Sequence, residues 1–390
     1  MALTWAIVRW IILGIILINE IAAIYTVFRE KRDIAATWAW LLVLTLIPVI
    51  GFIIYAFLGR KLPHRRLNLM KTQTQLRIQE AIDRQKQQFI NMPKPRHTTT
   101  QIYRRTVMLF QSLDDSFLSQ HNQVTIYTDG EKLFRQMFDE IAAAKKSIHI
   151  EFYTIYNDQI GNQLRTLLER KAAEGVEVRV LYDSWGSMGV RQSFYDGLRE
   201  RGGHATQFLL THNNLFDFRL NYRDHRKIVV LDGKIGYVGG FNVGDQYLGR
   251  LPKFGPWRDT HLRIIGGGVY GLQRRFIGDW NASVSRSSEK LNHYRQYFPE
   301  IQVQHGSTAL QVVSSGPESE LEKIKLGYLR LKLEKGTAAP APAGTVAAVQ
   351  VAAPVQAPAA APAPSDSPAQ PPAPAQPAIP EADAIPVIEI

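Results

Sequence analysis

Two long apolar segments begin the chain. Residues 3–28 and 34–58 are each longer than the roughly 20 residues that a helix needs to cross about 30 Å of hydrocarbon. The second segment has no charged residue and carries tryptophan and tyrosine near its ends, as interfacial anchors do. The first contains Arg9 and Glu20, but a cleaved signal peptide has a shorter apolar run and no second span after it. The pattern predicts a two-helix transmembrane hairpin over residues 1–60.

A polar, basic stretch follows the hairpin. Residues 61–120 are rich in Gln, Arg and Lys, which is typical either of a basic juxtamembrane connector on anionic headgroups or of a plain linker. Five Lys or Arg residues lie within 60–71, against three in the loop 29–33. Because the more basic side of a span usually stays in the cytoplasm, we expect the C-terminal bulk of the chain to be cytoplasmic.

From about residue 121 to 330 the periodicity is that of an α/β domain. Apolar and polar residues alternate over 147–153, a helical period covers 159–173, and 176–182 is again strand-like. A strand, a helix and a strand joined in this way form a parallel βαβ unit. Further strands follow, and a later helical run ends near Trp280. This order predicts a mixed sheet flanked by helices.

One strand of this domain carries side chains that suit chemistry. Residues 225–231 are strand-like, and Asp232-Gly233 is a strong signal for the turn of a hairpin. His225 and Lys227 are two positions apart, so both side chains leave the same face of the strand. A nucleophilic nitrogen beside a fixed positive charge suits attack on a phosphate ester.

Candidate binding residues lie on the return strand and on a neighbouring strand. Gly239 and Gly240 let backbone come close to a ligand, and Asn242 offers an amide donor to phosphate oxygens. Glu151 lies on the polar face of the strand over 147–153, where it either lines a cleft or faces solvent. Because the lysine supplies the positive charge, the sequence predicts no metal and no other cofactor.

Charge is unevenly distributed along the chain. The formal net charge is +11, and residues 336–390 contain four acidic residues and no Lys or Arg, so the rest of the chain carries about +15. A basic body of this kind suits an anionic partner such as phospholipid or nucleic acid. Cysteine is absent, which excludes disulfides, thiolate catalysis and cysteine-ligated metals.

The motif in the middle of the chain resembles the signature of the phospholipase D superfamily. HRKIVVLD at 225–232 is followed by GGFN at 239–242. The two apolar spans, with AATWAWLLVL at 35–44, and WRDTHLRIIG at 257–266 narrow the resemblance to the bacterial cardiolipin synthases. The resemblance implies a phospholipase D-like catalytic lobe over 121–330, in a multi-pass protein of the bacterial inner membrane.

The same resemblance implies roles for the motif residues. His225 would form a phosphohistidine, Lys227 and Asn242 would bind phosphate, and Asp232 would support the geometry. The reaction would transfer the phosphatidyl group of one phosphatidylglycerol to the terminal hydroxyl of another and release glycerol. The expected partners are phosphatidylglycerol, other anionic phospholipids and the membrane, and no nucleic acid is expected.

The chain departs from this family in one respect. Such enzymes usually carry the motif twice, and the second histidine protonates the leaving alcohol, whereas His225 begins the only His-x-Lys pair here.

The likeness to the family continues through residues 314–330 and then stops. Thirteen of the 21 prolines follow residue 336 among alanines, and a segment with so few large apolar residues does not offset the entropy of ordering. Residues 336–390 are therefore predicted to be a disordered Ala/Pro-rich tail.

Three hypotheses about function follow. In the first hypothesis, the chain is a membrane phosphatidyltransferase that obtains its second histidine by pairing two copies across one self-complementary face. Alternatively it is a phosphodiesterase or nuclease that acts as a dimer on the same scaffold, although the membrane hairpin argues against DNA as a substrate. Lastly, it is an inactive, truncated synthase.

Overall fold

The computed structural model describes the chain in two units. The described residues are 2–28, 34–47, 50–55, 59, 103–209, 223–284, 286–292, 294–302, 306–316, 323–337, 348–349 and 387–389. The apolar N-terminal segment belongs to one unit and the α/β domain to the other.

Among the described residues of the N-terminal unit, one helix is long and apolar enough to cross a membrane. Helix α1 covers Ala2–Phe28, and its stretch Thr4–Phe28 has the length and composition of a span. The second predicted span is shorter than expected, because α2 covers Ile34–Leu46 and α3 only Ile50–Ile54. Pro48 lies between them in the sequence, and proline has no amide hydrogen with which to continue a helix.

Polar residues of α1 are used in contacts with α2. The Asn19 Nδ2 donates to the Leu44 carbonyl at 3.1 Å, and the Thr45 hydroxyl donates to a Glu20 carboxylate oxygen at 3.0 Å. Because an unpaired polar group is costly in an apolar medium, these bonds explain how an otherwise apolar segment tolerates an amide and a carboxyl group.

One mixed sheet forms the centre of the α/β unit. Its spatial order is β4-β3-β2-β5-β6-β7-β1-β8-β10-β9 among the described strands. The strands are β1 Leu118–Tyr127, β2 Ser147–Phe152, β3 Glu177–Tyr182, β4 His204–Gln207, β5 Lys227–Leu231, β6 Ile235–Gly239, β7 His261–Ile265, β8 Thr308–Val313, β9 Ala348–Val349 and β10 Val387–Glu389. Strands β2, β3 and β4 are parallel, whereas β2–β5, β5–β6, β6–β7, β7–β1 and β1–β8 pair antiparallel.

Helices cover both faces of this sheet. They are α4 Arg104–Asp114, α5 Gly130–Ala143, α6 Gln159–Ala173, α7 Asp196–Glu200, α8 Gly268–Ser283 and α9 Lys323–Thr337. The predicted βαβ unit is confirmed, with α6 as the crossover between the parallel strands β2 and β3. The predicted mixed sheet flanked by helices is therefore confirmed.

The two faces of the sheet have separate apolar cores. On one face, Ile150 and Phe152 of β2 pack with residues of α5 and α6 such as Leu133 and Leu164. On the other face, strand residues pack on α8. All six residues of β2 are buried, because α8 covers the face that the alternation in the sequence suggested to be polar and open.

Strand register brings the chemically interesting residues to one edge of the sheet. Phe152 at the end of β2 pairs with Lys227 at the start of β5, and Gly239 at the end of β6 pairs with His261 at the start of β7. We call this the motif edge. The β5–β6 turn at Asp232 and Gly233 lies at the opposite edge, since β5 and β6 are antiparallel neighbours.

The predicted connector and tail are described only in part. Residues 103–120, the end of the predicted connector, form α4 and the start of β1, and residues 60–102 lie outside the described residues. In the tail, Ala348–Val349 and Val387–Glu389 extend the sheet beyond β8. The other tail residues beyond Thr337 lie outside the described part of the chain, so the disordered tail remains a prediction.

The packing of α8 gives a test of the fold. Leu272 is fully buried on α8 against Ile228 and Val230 of β5. Leu272→Ala should lower the free energy of unfolding by about 2–5 kcal/mol, because it leaves a cavity. Leu329→Ala, at a half-exposed position of α9, is the matched control and should change it little. Denaturant unfolding of the detergent-purified chain measures both, and equal effects would contradict the assigned core.

Candidate active site

His225 and Lys227 lie side by side at the motif edge. The Lys227 Nζ is 3.3 Å from the His225 Nδ1 and donates to the His225 carbonyl oxygen at 2.6 Å. The Tyr153 ring, just after β2, packs on the His225 ring with centroids 4.8 Å apart, and the Lys227 Nζ is 5.3 Å from the centre of the same ring. The two side chains are thus held together by the start of β5 and the end of β2.

Burial sets the charge states of this pair. Burial first, and the Lys227 ammonium second, lower the pKa of His225 to about 4. Burial also lowers the pKa of Lys227 to about 7. The imidazole is therefore neutral at neutral pH and has a lone pair on one nitrogen, which is what a nucleophile needs.

Three carboxylates oppose the effect of burial on Lys227. They belong to Asp224, Asp259 and Asp183, in that order of influence on its pKa. Asp183 follows β3, and its carboxylate accepts the backbone N–H groups of Asp224 at 3.0 Å and of Trp185 at 2.8 Å. The carboxylates stabilise an ammonium that is only 1% exposed, so Lys227 can carry charge where water is almost excluded.

Asn242 lies close to the pair, with both ends of its amide in contact with protein. Its Oδ1 accepts the Thr154 N–H at 3.0 Å, and its Nδ2 donates to the Tyr247 hydroxyl at 3.1 Å. Thr154 follows the tyrosine that packs on His225. Asn242 therefore fixes the backbone beside the imidazole. The binding of phosphate by Asn242 remains a prediction, and its Nδ2 is the group that would donate to the phosphate oxygens.

The two glycines are required by close packing between β6 and β7. A Cβ on Gly239 would lie 2.4 Å from the His261 Cα, and one on Gly240 would lie 1.9 Å from an Asp259 carboxylate oxygen. The Gly240 N–H donates to the Thr260 carbonyl at 2.9 Å. The two glycines thus leave room for Asp259 and His261 to pack against β6. The sequence analysis had explained them by the close approach of a ligand to the backbone.

Asp232 is not brought to His225. It lies five residues beyond Lys227, about 16 Å away along β5, at the opposite edge of the sheet. Its carboxylate accepts the backbone N–H groups of Lys145 at 2.9 Å, Lys146 at 2.7 Å and Ser147 at 3.0 Å. The motif aspartate therefore ties the start of β2 to the β5–β6 turn, where its φ is +53°.

Glu151 belongs to a buried charge cluster on the α8 face. It is fully buried, and its carboxyl group interacts with that of Asp224. Burial first, then Asp224 and Asp279, raise its pKa, whereas Arg226 lowers it. Arg226 also bonds to Asp279 at 3.1 Å. Glu151 is thus a buried acid with a raised pKa, and neither the cleft nor the solvated position expected from the sequence is observed.

The sequence analysis singled out neither Asp224 nor His261. Asp224 precedes His225 directly and is fully buried. A signal was present, because RDHRK puts several charges before a wholly apolar strand. His261 is fully buried, and both ring nitrogens lack hydrogen-bond partners among the described residues. Burial, followed by Lys227, lowers its pKa to about 3.

No metal centre is evident in the ranges that the structure describes. No group of three or more His, Asp or Glu side chains there has an arrangement that would hold a metal ion. The positive charge at the motif edge comes from Lys227, with Arg226 paired to carboxylates on the α8 face.

Two family profiles match this chain. The family described as "Cardiolipin synthase, PLD-like domain" matches residues 137–251, which contain strands β2 to β6 and the motif. The family described as "Phospholipase D-nuclease N-terminal" matches residues 17–60.

Solved structures with a related arrangement include a phosphatidylserine synthase from Haemophilus influenzae and NucT from Helicobacter pylori. The first is 17% identical, with a TM-score of 0.36, over 49% of this chain and 45% of that one. The second is 14% identical, with a TM-score of 0.33, over 42% of this chain and 99% of that one. Both scores are low, so the assignment depends on the sequence relatives.

Those relatives are bacterial cardiolipin synthases. One from Listeria innocua is 42% identical over 323 residues, which make up 83% of this chain and 66% of that protein. Cardiolipin synthase 2 from Staphylococcus epidermidis is 41% identical over 330 residues, with the same shares of the two chains. The chain spans slightly less than two thirds of the length of these relatives. With the motif, the mixed sheet and this identity together, the chain belongs to the cardiolipin synthase family of phospholipase D-like proteins.

Proposed function

We propose that this protein is a membrane-bound phosphatidyltransferase that converts two molecules of phosphatidylglycerol into cardiolipin and glycerol. The observation that carries the proposal is a half-buried imidazole whose Nδ1 lies 3.3 Å from the Nζ of the buried Lys227. The identity to cardiolipin synthases supports the choice of lipid. The helix that covers Thr4–Phe28 supports attachment to a membrane, with the α/β unit in the cytoplasm.

In the first half-reaction, His225 attacks the phosphorus of one phosphatidylglycerol. A nitrogen–phosphorus bond forms, the bond from phosphorus to the headgroup glycerol oxygen breaks, and that oxygen takes up a proton. The attacking nitrogen must carry no hydrogen. We assign the attack to Nε2, since Nδ1 is the nitrogen that lies against Lys227, and the ring proton is then on Nδ1. The Lys227 hydrogens are then directed to the His225 carbonyl oxygen, 2.6 Å away, and to the incoming phosphate.

In the second half-reaction, the terminal hydroxyl of another phosphatidylglycerol replaces the imidazole. The hydroxyl loses a proton as its oxygen bonds to phosphorus, the nitrogen–phosphorus bond breaks, and His225 is regenerated. Lys227 stabilises the negative charge on the phosphate oxygens in both steps, since its ammonium is fixed in a site that excludes water. Asn242 Nδ2, which reaches the Tyr247 hydroxyl in the free protein, would turn to the same oxygens.

The departing glycerol oxygen needs an acid on the side of phosphorus opposite His225. One imidazole cannot occupy both sides of an in-line displacement, and the motif occurs once in these 390 residues. We propose that a second copy of the chain supplies this acid through its own His225. Two copies related by a twofold axis would bring the two imidazoles together across one self-complementary face.

The nucleophile can be identified directly. His225→Ala should abolish phosphatidyl transfer and the acid-labile phosphohistidine that mass spectrometry detects after a rapid quench. Lys227→Ala should retain some of both but slow turnover by about 10²–10³-fold, because one fixed charge is lost. His204→Ala removes a histidine from the start of the edge strand β4 and serves as the control. Full turnover by the His225→Ala protein would exclude this mechanism.

Asp232 should matter for stability and not for chemistry. Asp232→Ala leaves three backbone N–H groups at the start of β2 without their acceptor, so we expect a loss of about 1–3 kcal/mol of unfolding free energy. Turnover per folded molecule should remain close to that of the natural chain. An unchanged unfolding midpoint together with lost turnover would assign Asp232 a part in the reaction.

Mixing variants tests the shared site. When natural and His225→Ala chains are co-purified in varied ratios, a site built from two His225 side chains predicts that activity falls as the square of the natural fraction. A linear fall would mean that each chain works alone, and the acid would then have to come from the same chain. His261 is the other imidazole at the motif edge, so His261→Asn is the variant to compare in that case.

A further inference from the structure

We propose that two loops at the motif edge form a surface that docks onto an anionic phospholipid bilayer. The loops cover residues 184–191 and 249–258, and we call them together the docking loops. The inference rests on the proposed function, because it names the surface through which a lipid substrate would reach His225 without leaving the membrane.

Strand register places both loops beside His225. The first loop follows β3, which is parallel to β2 and ends at the same edge, with Tyr182 paired to Phe152. The second loop lies between β6 and β7, whose facing ends at Gly239 and His261 are paired at that edge. The active-site residues and the docking loops therefore share one end of the sheet.

Exposed apolar side chains are concentrated in these loops. Nine large apolar residues are exposed in the described part of the α/β unit, and five of them lie here. They are Trp185 at 49%, Met188 at 75%, Leu251 at 40%, Phe254 at 45% and Trp257 at 36% exposure. An exposed apolar patch of this kind marks an interaction surface, and tryptophan prefers the interface between headgroups and hydrocarbon.

The charge of the docking loops favours a lipid surface as the occupant. Together they contain Arg191, Arg250, Lys253 and Arg258 and no Asp or Glu. Arg250 bonds to Glu131 and Asp245, which holds the second loop against α5. Cations next to aromatic and aliphatic side chains suit an interface of anionic headgroups above hydrocarbon.

Both loops are fixed to the residues of the active site. The Ser187 hydroxyl accepts the Ile155 N–H at 3.0 Å and donates to the carbonyl of Tyr153 at 3.1 Å, and the Tyr153 ring packs on His225. In the second loop, the Trp257 ring packs on Tyr247 with centroids 4.9 Å apart. Since the Tyr247 hydroxyl accepts from Asn242, a lipid held by the loops would present its phosphate next to the catalytic pair.

Single cysteine labels test the docking of these loops. The chain has no cysteine, so Met188→Cys and Phe254→Cys each give one site for an environment-sensitive nitrobenzoxadiazole label in the full chain. Lys234→Cys is the matched control, because residue 234 is exposed in the β5–β6 turn at the opposite edge. Each labelled protein is reconstituted into vesicles of phosphatidylcholine with or without phosphatidylglycerol, and with doxyl-labelled lipid as the quencher.

The docking loops predict a clear difference between the labels. In vesicles with phosphatidylglycerol, doxyl lipid should quench the labels at 188 and 254 at least about twofold more than the label at 234, since interfacial side chains enter the headgroup–acyl boundary. The difference should shrink in vesicles of phosphatidylcholine alone. Equal quenching at the three positions would overturn the proposal.

Two further outcomes are distinguishable. A blue shift at 188 and 254 that grows with protein concentration and is insensitive to doxyl lipid would mean that the second copy proposed to supply the acid also covers the loops. That result would overturn the docking surface and leave the shared two-histidine site standing. Turnover of phosphatidylglycerol is measured on the same vesicles. Lipid-dependent quenching without turnover supports the docking surface and rejects the phosphatidyltransferase activity. Turnover without differential quenching supports the phosphatidyltransferase activity and rejects the docking surface.

Discussion

The site depends on the burial of one ammonium group beside one imidazole. Lys227 is 1% exposed at the start of β5, and such a charge is tolerated only where opposite charges compensate for lost hydration. Asp183, Asp224 and Asp259 provide that compensation from three separate segments. In return, the ammonium and the shared burial keep His225 neutral. Removing one of these carboxylates would therefore alter both the charge of Lys227 and the nucleophile beside it.

Much of the architecture around this pair could be predicted from the sequence. The alternation over 147–153, the helical period at 159–173 and the Asp-Gly turn each correspond to an observed element, because each depends on local periodicity or turn chemistry. The proximity of His225 and Lys227 follows from the two-residue repeat of an extended chain. These features need no knowledge of the tertiary fold.

The remaining features depend on contacts between distant segments. Asp232 belongs to the same motif as His225, but only the pairing of β5 with β2 shows that its partners are the backbone amides of residues 145–147. The alternation in the sequence places Glu151 on a polar, open face, whereas in the structure α8 covers that face and buries the residue. The described helices of the second apolar segment, α2 and α3, are each shorter than a membrane span, which hydropathy alone does not predict.

The proposed docking surface and the proposed active site share one end of the sheet. The loop after β3 and the loop before β7 carry exposed apolar and basic residues, and they contact the same residues that hold His225 and Asn242 in place. The chain spans 66% of the length of the Listeria innocua relative. The shared region contains the proposed nucleophile, His225, and the proposed phosphate-binding residue, Lys227, so the proposed chemistry can be examined in this chain directly.

The most direct measurement is the pKa of His225 itself. Nitrogen-15 NMR of histidine-labelled protein, with the signal assigned by its loss in His225→Gln, follows the protonation of the ring. Burial and the neighbouring Lys227 predict that the imidazole stays neutral as pH falls and protonates only at about 4. In Lys227→Met, which removes the charge and keeps an apolar side chain of similar length, the pKa should rise because only the effect of burial remains. A His225 that titrates near 6.5, with no response to Lys227→Met, would contradict the account.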